Sequence, residues 1–588
     1  MRTRLSARLI KTWCGLLMLG ACSHSSNQTL SIGVLAFNDF HGNLEPPAIT
    51  IPVETPDGIR AVPAGGVSYL AGAIDDFRLR YSHNMVVSAG DLISASPLIS
   101  SLFLDEPTIH AMNAIEIDFN AVGNHEFDRG QHELLRLQHG GCEQWTLREP
   151  CQVRPQFAGA AFTFLGANVL NDANATLLPS YGIKTFTHGH TKISVGVIGI
   201  TTKDTANSVN QTGIQNLQFE DEATAANRVV KELQAKQVDL IMLVIHEGGR
   251  TDTLPLEKGC AGLSGQIVPI LERLDPSIAL VVSGHTHQAY VCQHVNAKGH
   301  SRLLTSAGEK GTLVTEIELT FEASSRRLLT INGHNRVIQG EGFTRGEHDY
   351  PLIEQIPVIK PAAKVAAIVD EYRAAANEQA QRIVGYANLN FDRVQGASGE
   401  SHLGQLIADV QLFAANADAS TRADLSFMNT GGLRADLSPG AGNALTFSDI
   451  FGVLPFGNRL VTLDMTGEAL YQLLEEQFNS GTNTLTSPRI LQVSQGVNYV
   501  MDLTAPAGQR VVSFELHGEP IELDHVYRVS THDYLANGGD NFHSFNQGRN
   551  RRLGMIDVDA LEYYLSQHNT IENPIAERII LKWPVSLN

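Results

Sequence analysis

Side chains of the types that can bind metals follow five separate apolar runs in the first half of this 588-residue chain. The polar clusters occupy residues 38–42, 89–91, 123–128, 245–248 and 283–287. Each apolar run is short and bounded by turn residues, which is typical of a buried strand. Strand ends of a layered α/β sheet form the crevice where ligands bind, so the pattern predicts that the five clusters converge.

Seven side chains in these clusters offer an oxygen or an imidazole nitrogen to a metal. They are Asp39, His41, Asp91, Asn124, His246, His285 and His287. Any one of them alone is more typical of a structural residue, but five strand-end clusters together indicate a site. Carboxylate, amide and imidazole donors without thiolates suit Zn²⁺, Mn²⁺ or iron. Since seven donors exceed one tetrahedral site, we expect two ions that share a carboxylate.

In this order the clusters resemble those of the calcineurin-like metallophosphoesterase family, over most of residues 30–320. The resemblance implies a first ion held by Asp39, His41, Asp91 and His287. It implies a second ion held by Asp91, Asn124, His246 and His285, with Asp91 as the bridge. The implied ions are two divalent cations (Zn, Mn or Co), and His125 and Asp128 would form a catalytic dyad.

The second half has four further segments, at 400–409, 429–434, 454–458 and 534–540. An arginine on a glycine-rich loop can bind a phosphate, and two aromatic rings on separate loops can sandwich a base. Together the segments resemble the C-terminal domain of the 5′-nucleotidase family, over roughly residues 383–585. The resemblance implies that Phe456 and Tyr534 stack on the base, with Asn429 and Asn458 against base or nucleoside, Asp540 on the ribose and Arg434 on the phosphate.

One position departs from that family. Where its members often have a further arginine, this chain has Ala397, and Arg393 is expected to take that place. The family also rotates its C-terminal domain to carry substrate to the metals. We therefore hypothesise a hinge at the Ala-rich helix expected over 362–382, which follows Pro351, Pro357 and Pro361.

The elements that must position these residues give an α/β (α+β) fold. Strands are predicted at 32–37, 85–88, 120–122, 193–200, 240–245 and 278–283, and a helix at 221–236. The resemblance implies a four-layer metallophosphoesterase β-sandwich flanked by helices, a helical linker and a second α/β substrate-specificity domain. The expected divisions are a lipoprotein signal peptide at 1–21, domains at 22–345 and 383–588, and a linker at 346–382.

The N-terminus has the pattern of an export signal. Four basic residues precede a short apolar stretch at 13–19, too short to span a bilayer. The segment 19–22 resembles a bacterial lipobox, so we expect a lipid anchor on Cys22 in the periplasm or outer membrane; a plain signal peptide is the alternative.

The four later cysteines suggest two disulfides, and sequence proximity favours Cys142–Cys151 and Cys260–Cys292 among three pairings.

Net charge limits the partners. A formal charge of −19 repels a phosphate backbone, so nucleic-acid polymers are not expected to bind.

The resemblance implies hydrolysis of nucleoside 5′-phosphates by a metal-bridging hydroxide outside the cytoplasm, in a monomer or weak dimer. The alternatives are a 2′,3′-cyclic nucleotide 2′-phosphodiesterase/3′-nucleotidase, a UDP-sugar or dinucleotide hydrolase, a sulfur-oxidation enzyme of the same architecture, and a non-catalytic nucleoside-binding lipoprotein.

Overall fold

A computed structural model describes residues 29–146, 148–209, 211–345, 348–572 and 577–583. The expected signal peptide and Cys22 lie outside the described residues. Within the described ranges, no helix is both long enough and apolar enough to cross a bilayer.

Two six-stranded sheets form the centre of the first domain. In spatial order, the first sheet contains Arg327–Val337, Leu313–Glu322, Thr29–Phe37, Asn84–Ser88, Phe119–Ala121 and Thr163–Leu165. The second contains Ala289–Val295, Ser301–Ala307, Ile278–Ser283, Leu240–His246, Thr191–Thr201 and Tyr181–His188. Four neighbouring strands in each sheet are parallel, so their carboxyl ends meet at one edge.

The two sheets pack face to face because their strands alternate between two apolar environments. Ile32 and Val34 face the second sheet, whereas Leu35 and Phe37 face helices on the outside. The helices on the first sheet are Val67–Arg80, Leu98–Ser101, Glu106–Ile115 and Gly130–His139, and those on the second are Glu222–Ala235 and Ile267–Arg273. The short helix Thr205–Ser208 follows the strand Thr191–Thr201. The predicted four-layer arrangement is confirmed.

The predicted strands are present, with ends that differ by up to three residues. The predicted helix at 221–236 is Glu222–Ala235, and the carboxylate of Asp221 caps it by accepting from the Thr224 amide at 3.0 Å. The two expected disulfides, Cys142–Cys151 and Cys260–Cys292, are both formed.

The linker contains the helix Ala363–Ala380, which packs on the first domain. Its buried face is formed by Val365, Val369, Tyr372 and Ala376. The Tyr372 ring lies 5.3 Å from that of Phe103 in the first domain. The sequence predicts this helix but not which of its faces is buried, since a weakly amphipathic Ala-rich stripe gives little sign of burial.

The second domain is a separate α/β unit. Its five-stranded sheet contains, in spatial order, Leu491–Val493, Leu425–Asn429, Val526–His532, Arg459–Thr466 and Arg549–Ile556. A four-stranded sheet contains Glu519–Pro520, Val511–Leu516, Val497–Asp502 and Ile579–Lys582. The helices are His402–Ala415, Phe447–Val453, Gly467–Glu476, Asp533–Ala536 and Asp557–Gln567.

Four strand pairs complete the described structure. They are Ile49–Thr55 with Gly58–Ala64, Val169–Asn171 with Leu217–Phe219, Phe343–Arg345 with His348–Tyr350, and Ile383–Tyr386 with Ala444–Thr446. The last pair lies directly after the linker helix, where the chain enters the second domain.

Candidate active site

All seven predicted metal ligands lie together at the edge where the parallel strands of both sheets end. Asp39, His41, Asp91 and Asn124 follow strands of the first sheet. His246 ends a strand of the second sheet, and His285 and His287 follow another. The edge therefore combines oxygen donors, mostly from one sheet, with imidazoles, mostly from the other.

The side chains form two groups of the size that a cation requires. In the first, Nε2 of His287 lies 3.3 Å from Nε2 of His41 and 3.4 Å from Oδ1 of Asp39. In the second, Nε2 of His246 lies 3.3 Å from Nδ1 of His285 and 3.0 Å from Oδ2 of Asp91.

Asp91 connects the two groups. Its Oδ2 is also 3.7 Å from Nε2 of His41, so one carboxylate oxygen borders both sets of imidazoles. The groups Asp39–His41–His287 and Asp91–His246–His285 each bring their donor atoms within 4.8 Å of one another. This is the geometry that a bridging carboxylate between two ions requires.

Outer contacts set the tautomers of three histidines. Nδ1 of His41 donates to the Ser94 carbonyl at 3.0 Å, and Nδ1 of His246 donates to the Ala89 carbonyl at 2.8 Å. Nδ1 of His287 lies 3.0 Å from the Glu309 carboxylate. With Nδ1 carrying the proton, the Nε2 lone pair of each ring faces the cluster and is free to bind a metal.

An unpaired oxygen and unbalanced negative charge both fit bound cations. Oδ1 of Asn124 is buried and has no hydrogen-bond partner among the described residues, which is costly unless an ion occupies the site. Burial opposes the imidazolium of His246, yet Asp91 and Asp39 outweigh burial and raise its pKa to about 10. The carboxylates that favour a proton on Nε2 of His246 would equally favour a divalent cation in its place, and the neighbouring His285 is neutral because burial lowers its pKa to about 3; this donor set fits divalent metal ions.

Five of the seven ligands have left-handed backbone conformations. The φ angles are 49° at Asp39, 47° at His41, 48° at Asp91, 70° at His285 and 57° at His287. Each such non-glycine residue costs on the order of 1 kcal/mol or more, and such strain concentrates at functional sites. The strand ends therefore turn sharply at the ligands, which aims successive side chains into one space.

Glu126 holds two of the ligand loops together. Its carboxylate accepts hydrogen bonds from the amides of Asp91 at 2.9 Å and Gly123 at 2.6 Å, and also from Leu92 and Asn120. Burial, with Asp91 nearby, raises the pKa of Glu126 to about 7. The residue lies within the cluster at 123–128, but sequence reasoning gave it no role because it cannot be seen there as a bridge between loops.

The predicted dyad is in contact beside the cluster. Nδ1 of His125 lies 2.8 Å from Oδ2 of Asp128. Burial disfavours the imidazolium of His125, but Asp128 and Asp91 outweigh it and raise the pKa. The backbone amide of His125 donates to Oδ1 of Asp91 at 2.9 Å, so the dyad and the bridging carboxylate are fixed relative to each other.

One open cavity of about 220 Å³ joins this cluster to the second domain. Its walls include Asp91, Asn124, His125, Asp128, His285 and His287 from the first domain, and Asn429, Arg434, Phe456, Asn458, Arg489, His532, Tyr534 and Asp540 from the second. Phe456 reaches across the boundary, since its ring stacks on His125 with centroids 5.7 Å apart and planes 9° apart. Six of the seven predicted substrate residues therefore face the same space as the metal ligands.

Family models match both halves of this arrangement. Residues 32–289 match the calcineurin-like phosphoesterase model, and residues 379–547 match the 5′-nucleotidase C-terminal domain model. This chain belongs to the 5′-nucleotidase family of calcineurin-like phosphoesterases.

Relatives of this family cover most of the chain. The probable 5′-nucleotidase of Treponema pallidum is 25% identical over 650 residues, which cover 98% of this chain and 98% of that protein. Endonuclease YhcR of Bacillus subtilis is 26% identical over 551 residues and 92% of this chain, but the match spans 40% of YhcR. The crystal structure of the 5′-nucleotidase precursor from Thermus thermophilus superposes on this chain with a TM-score of 0.71, and the two sequences are 26% identical. The match covers 94% of this chain and 99% of that one.

In this member of the 5′-nucleotidase family, a hydrogen-bonded chain holds the carboxylate of Asp540. Its Oδ1 accepts from the Tyr534 hydroxyl at 2.9 Å, and its Oδ2 accepts from Nδ2 of Asn429 at 2.7 Å. Oδ1 of Asn429 lies 2.9 Å from Nε2 of His532, a buried ring stacked on Tyr534. Burial lowers the pKa of His532 to about 4, so this ring is neutral and donates to Asn429.

The two predicted arginines differ in position. Arg434 lies in the cavity, with its guanidinium 5.7 Å from the Phe456 ring. Arg393, proposed from the sequence as a phosphate ligand, is half exposed and does not line the cavity. Its side chain instead lies 3.4 Å from Asp436 and donates to the Leu433 carbonyl, so its hydrogen-bonding capacity is directed away from the site.

Sequence reasoning missed His532 and Arg489. His532 lies two residues before Tyr534 at the end of a strand, a position that could have drawn attention. Arg489 lies in a loop rich in Ser, Thr and Asn, and no motif marks it.

Proposed function

We propose that this chain hydrolyses nucleoside 5′-phosphates to nucleoside and inorganic phosphate. The observation that carries the proposal is the single cavity in which the metal-ligand cluster and the Asp540–Tyr534 group face each other. A 5′-nucleotide has the matching polarity, with an anionic end for the cations and a ribose and base for the polar and aromatic end.

At the phosphate end, two divalent cations (Zn, Mn or Co) bound by the seven ligands would lower the pKa of a water molecule and neutralise phosphoryl charge. Arg434 lies beside this end and would bind the phosphate oxygens. Asp128 and Asp91 raise the pKa of His125, which favours its imidazolium, and this group would donate a proton to the departing O5′ oxygen. Asp128 orients the ring and stabilises the imidazolium.

At the nucleoside end, Phe456 and Tyr534 would stack on the base, and stacking tolerates any base because each has a π face. Asp540 would accept hydrogen bonds from ribose hydroxyls, with Asn429 and Asn458 completing the contacts. We therefore expect broad base specificity, with selectivity set mainly by the position of the phosphate on the ribose.

We further propose that the protein is exported. The basic and apolar pattern at 1–22 supports this, and so do the two disulfides, which are typical of oxidising compartments. The lipid anchor on Cys22 and the monomer or weak dimer are part of the same proposal, as are the domain boundaries at 345 and 383.

The test is phosphate release by the mature chain after removal of metals with a chelator and reloading with Mn²⁺, Zn²⁺ or Co²⁺. The substrates are AMP, 3′-AMP, 2′,3′-cyclic AMP, UDP-glucose and NAD, with added phosphatase for products that retain a phosphate. Metal-dependent hydrolysis in which AMP is preferred supports the proposal. Activity restricted to 3′ or cyclic substrates would replace it, and no turnover with any metal would favour a binding protein.

A further inference from the structure

We propose that the cavity contains a second anion subsite, centred on Arg489, for a phosphate carried by the ribose of the substrate. This inference rests on the proposed function and names its substrate class: nucleoside 5′-phosphates that also have a 2′- or 3′-phosphate.

Arg489 is a cation without a partner in the wall of the cavity. Its side chain is exposed, and among the described residues it makes no hydrogen bond or ion pair. Most other arginines of the structure are engaged; Arg393, for example, pairs with Asp436. An unpaired guanidinium in a substrate cavity is available for a ligand, and its planar fork suits a phosphate.

The position of Arg489 separates it from the phosphate that would be hydrolysed. Arg434 lies at the metal end, against Phe456 and, through that ring, His125. Arg489 lies at the other end, near Tyr534 and Asp540. The cavity thus has one arginine at each end, and a 5′-phosphate on the metal cluster cannot account for both.

Gly431 leaves a small space between three polar groups. A methyl group on its Cα would lie 3.5 Å from Oδ2 of Asp540, 3.7 Å from Nδ2 of Asn429 and 3.8 Å from a terminal nitrogen of Arg489. If Asp540 accepts a ribose hydroxyl, Arg489 lies beside the ribose oxygens. A neutral hydroxyl requires no guanidinium, whereas a phosphate on the adjacent oxygen needs a cation to offset repulsion by Asp540.

The reaction at the 5′ position is unchanged. Water adds its oxygen to the 5′-phosphorus, the P–O5′ bond breaks, and O5′ takes a proton. The products are inorganic phosphate and a nucleoside that keeps its 2′- or 3′-phosphate.

The kinetic test compares kcat/KM for adenosine 3′,5′-bisphosphate, adenosine 2′,5′-bisphosphate and AMP in the Mn²⁺-loaded enzyme. We expect one bisphosphate to match or exceed AMP, and Arg489→Gln to lower the bisphosphate-to-AMP ratio at least tenfold. Arg549→Gln is the matched control, because it removes an exposed arginine outside the cavity and should leave the ratio unchanged. The preferred isomer identifies the oxygen that carries the second phosphate.

Binding measured without turnover separates this inference from the proposed function. Calorimetric titration with adenosine, adenosine 2′-phosphate and adenosine 3′-phosphate should show that Arg489→Gln weakens one monophosphate at least tenfold more than adenosine. If wild type fails to hydrolyse AMP but shows this difference, the function is wrong and the subsite stands. If Arg489→Gln weakens all three ligands equally, Arg489 binds a ribose hydroxyl and the subsite is disproved.

Discussion

At the residue scale, a single contact to a neighbouring carbonyl or carboxylate orients each of three histidines in the site. His41, His246 and His287 each have one ring nitrogen occupied by a carbonyl or carboxylate, which leaves the other for a metal. Glu126 ties the loop of Asp91 to the loop that carries Asn124. The sequence predicted seven candidate ligands from residue type and position after strands, and the structure places them together at one sheet edge. The backbone angles and the role of Glu126 were not predictable, because they depend on three-dimensional contacts.

His125 offers the sharpest test at this scale. His125→Gln should lower kcat for AMP by about 10²–10³-fold, because it removes the proton donor to the leaving oxygen. Asp128→Asn should lower kcat less, since the imidazole remains while its charged partner is lost. Steady-state kinetics with metal analysis of both variants is the measurement.

Unchanged metal content in these variants is the required control, since neither residue is among the seven proposed ligands. Leaving-group dependence adds a second readout. The loss in His125→Gln should shrink for 4-nitrophenyl phosphate, whose leaving group needs little protonation. An equal loss for both substrates would contradict the role of His125 as a proton donor.

At the element scale, strand patterns were predictable and helix environments less so. Ile278–Ser283 was predicted to the residue because a continuous apolar run bounded by Pro and Gly has few alternatives. The linker helix Ala363–Ala380 was located correctly, but its packing on the first domain was not foreseen. Alanine-rich faces are compatible with either solvent or core, so the decision is made by tertiary contacts.

The N-terminal cap of the helix Glu222–Ala235 is expected to contribute to the free energy of unfolding. Asp221 accepts from the Thr224 amide and forms a two-point ion pair with Arg273, at 2.9 Å for each bond. Asp221→Ala should lower the free energy of unfolding by about 1–2 kcal/mol, most of it from the cap because the ion pair is partly exposed. Urea denaturation measures the effect, and Glu232→Ala on the exposed face of the same helix should not destabilise.

This effect should depend on pH. The hydrogen bond from Arg273, opposed by partial burial, lowers the pKa of Asp221 to about 2, below the unfolded value of about 3.9. Because the pKa of Asp221 is lower in the folded state than in the unfolded state, its contribution to the free energy of unfolding is fully present above about pH 4. That contribution is lost as the pH falls toward 2. The gap between wild type and Asp221→Ala should therefore close at low pH; a constant gap would contradict the assignment.

At the scale of the whole molecule, the cavity exists only because two domains meet. His125 and Phe456 stack across the boundary, and we expect substrate entry and product release to involve separation of the domains. The family models and the sheets both divide the chain in two, which the sequence indicated from its prolines and motifs. How the domains close on each other was not predictable, because no local pattern encodes an interface.

A cross-link between the domains tests this movement. Arg148 of the first domain interacts with Asp559 on an exposed position of the helix Asp557–Gln567 in the second. Cysteines at both positions, joined by a bis-maleimide, should lower AMP turnover more than tenfold while metal content stays constant. The single-cysteine variants treated with the same reagent should keep their activity, and full turnover in the cross-linked protein would rule out domain separation.

We propose that one cavity holds two metal ions and a nucleoside at its opposite ends. A crystal structure of the Mn²⁺-loaded chain with adenosine, using anomalous scattering, tests this most directly. We predict two anomalous peaks about 3.5–4 Å apart on either side of Asp91, with adenine against Phe456 or Tyr534 and the ribose on Asp540. A single ion, or adenosine bound outside this cavity, would contradict this arrangement.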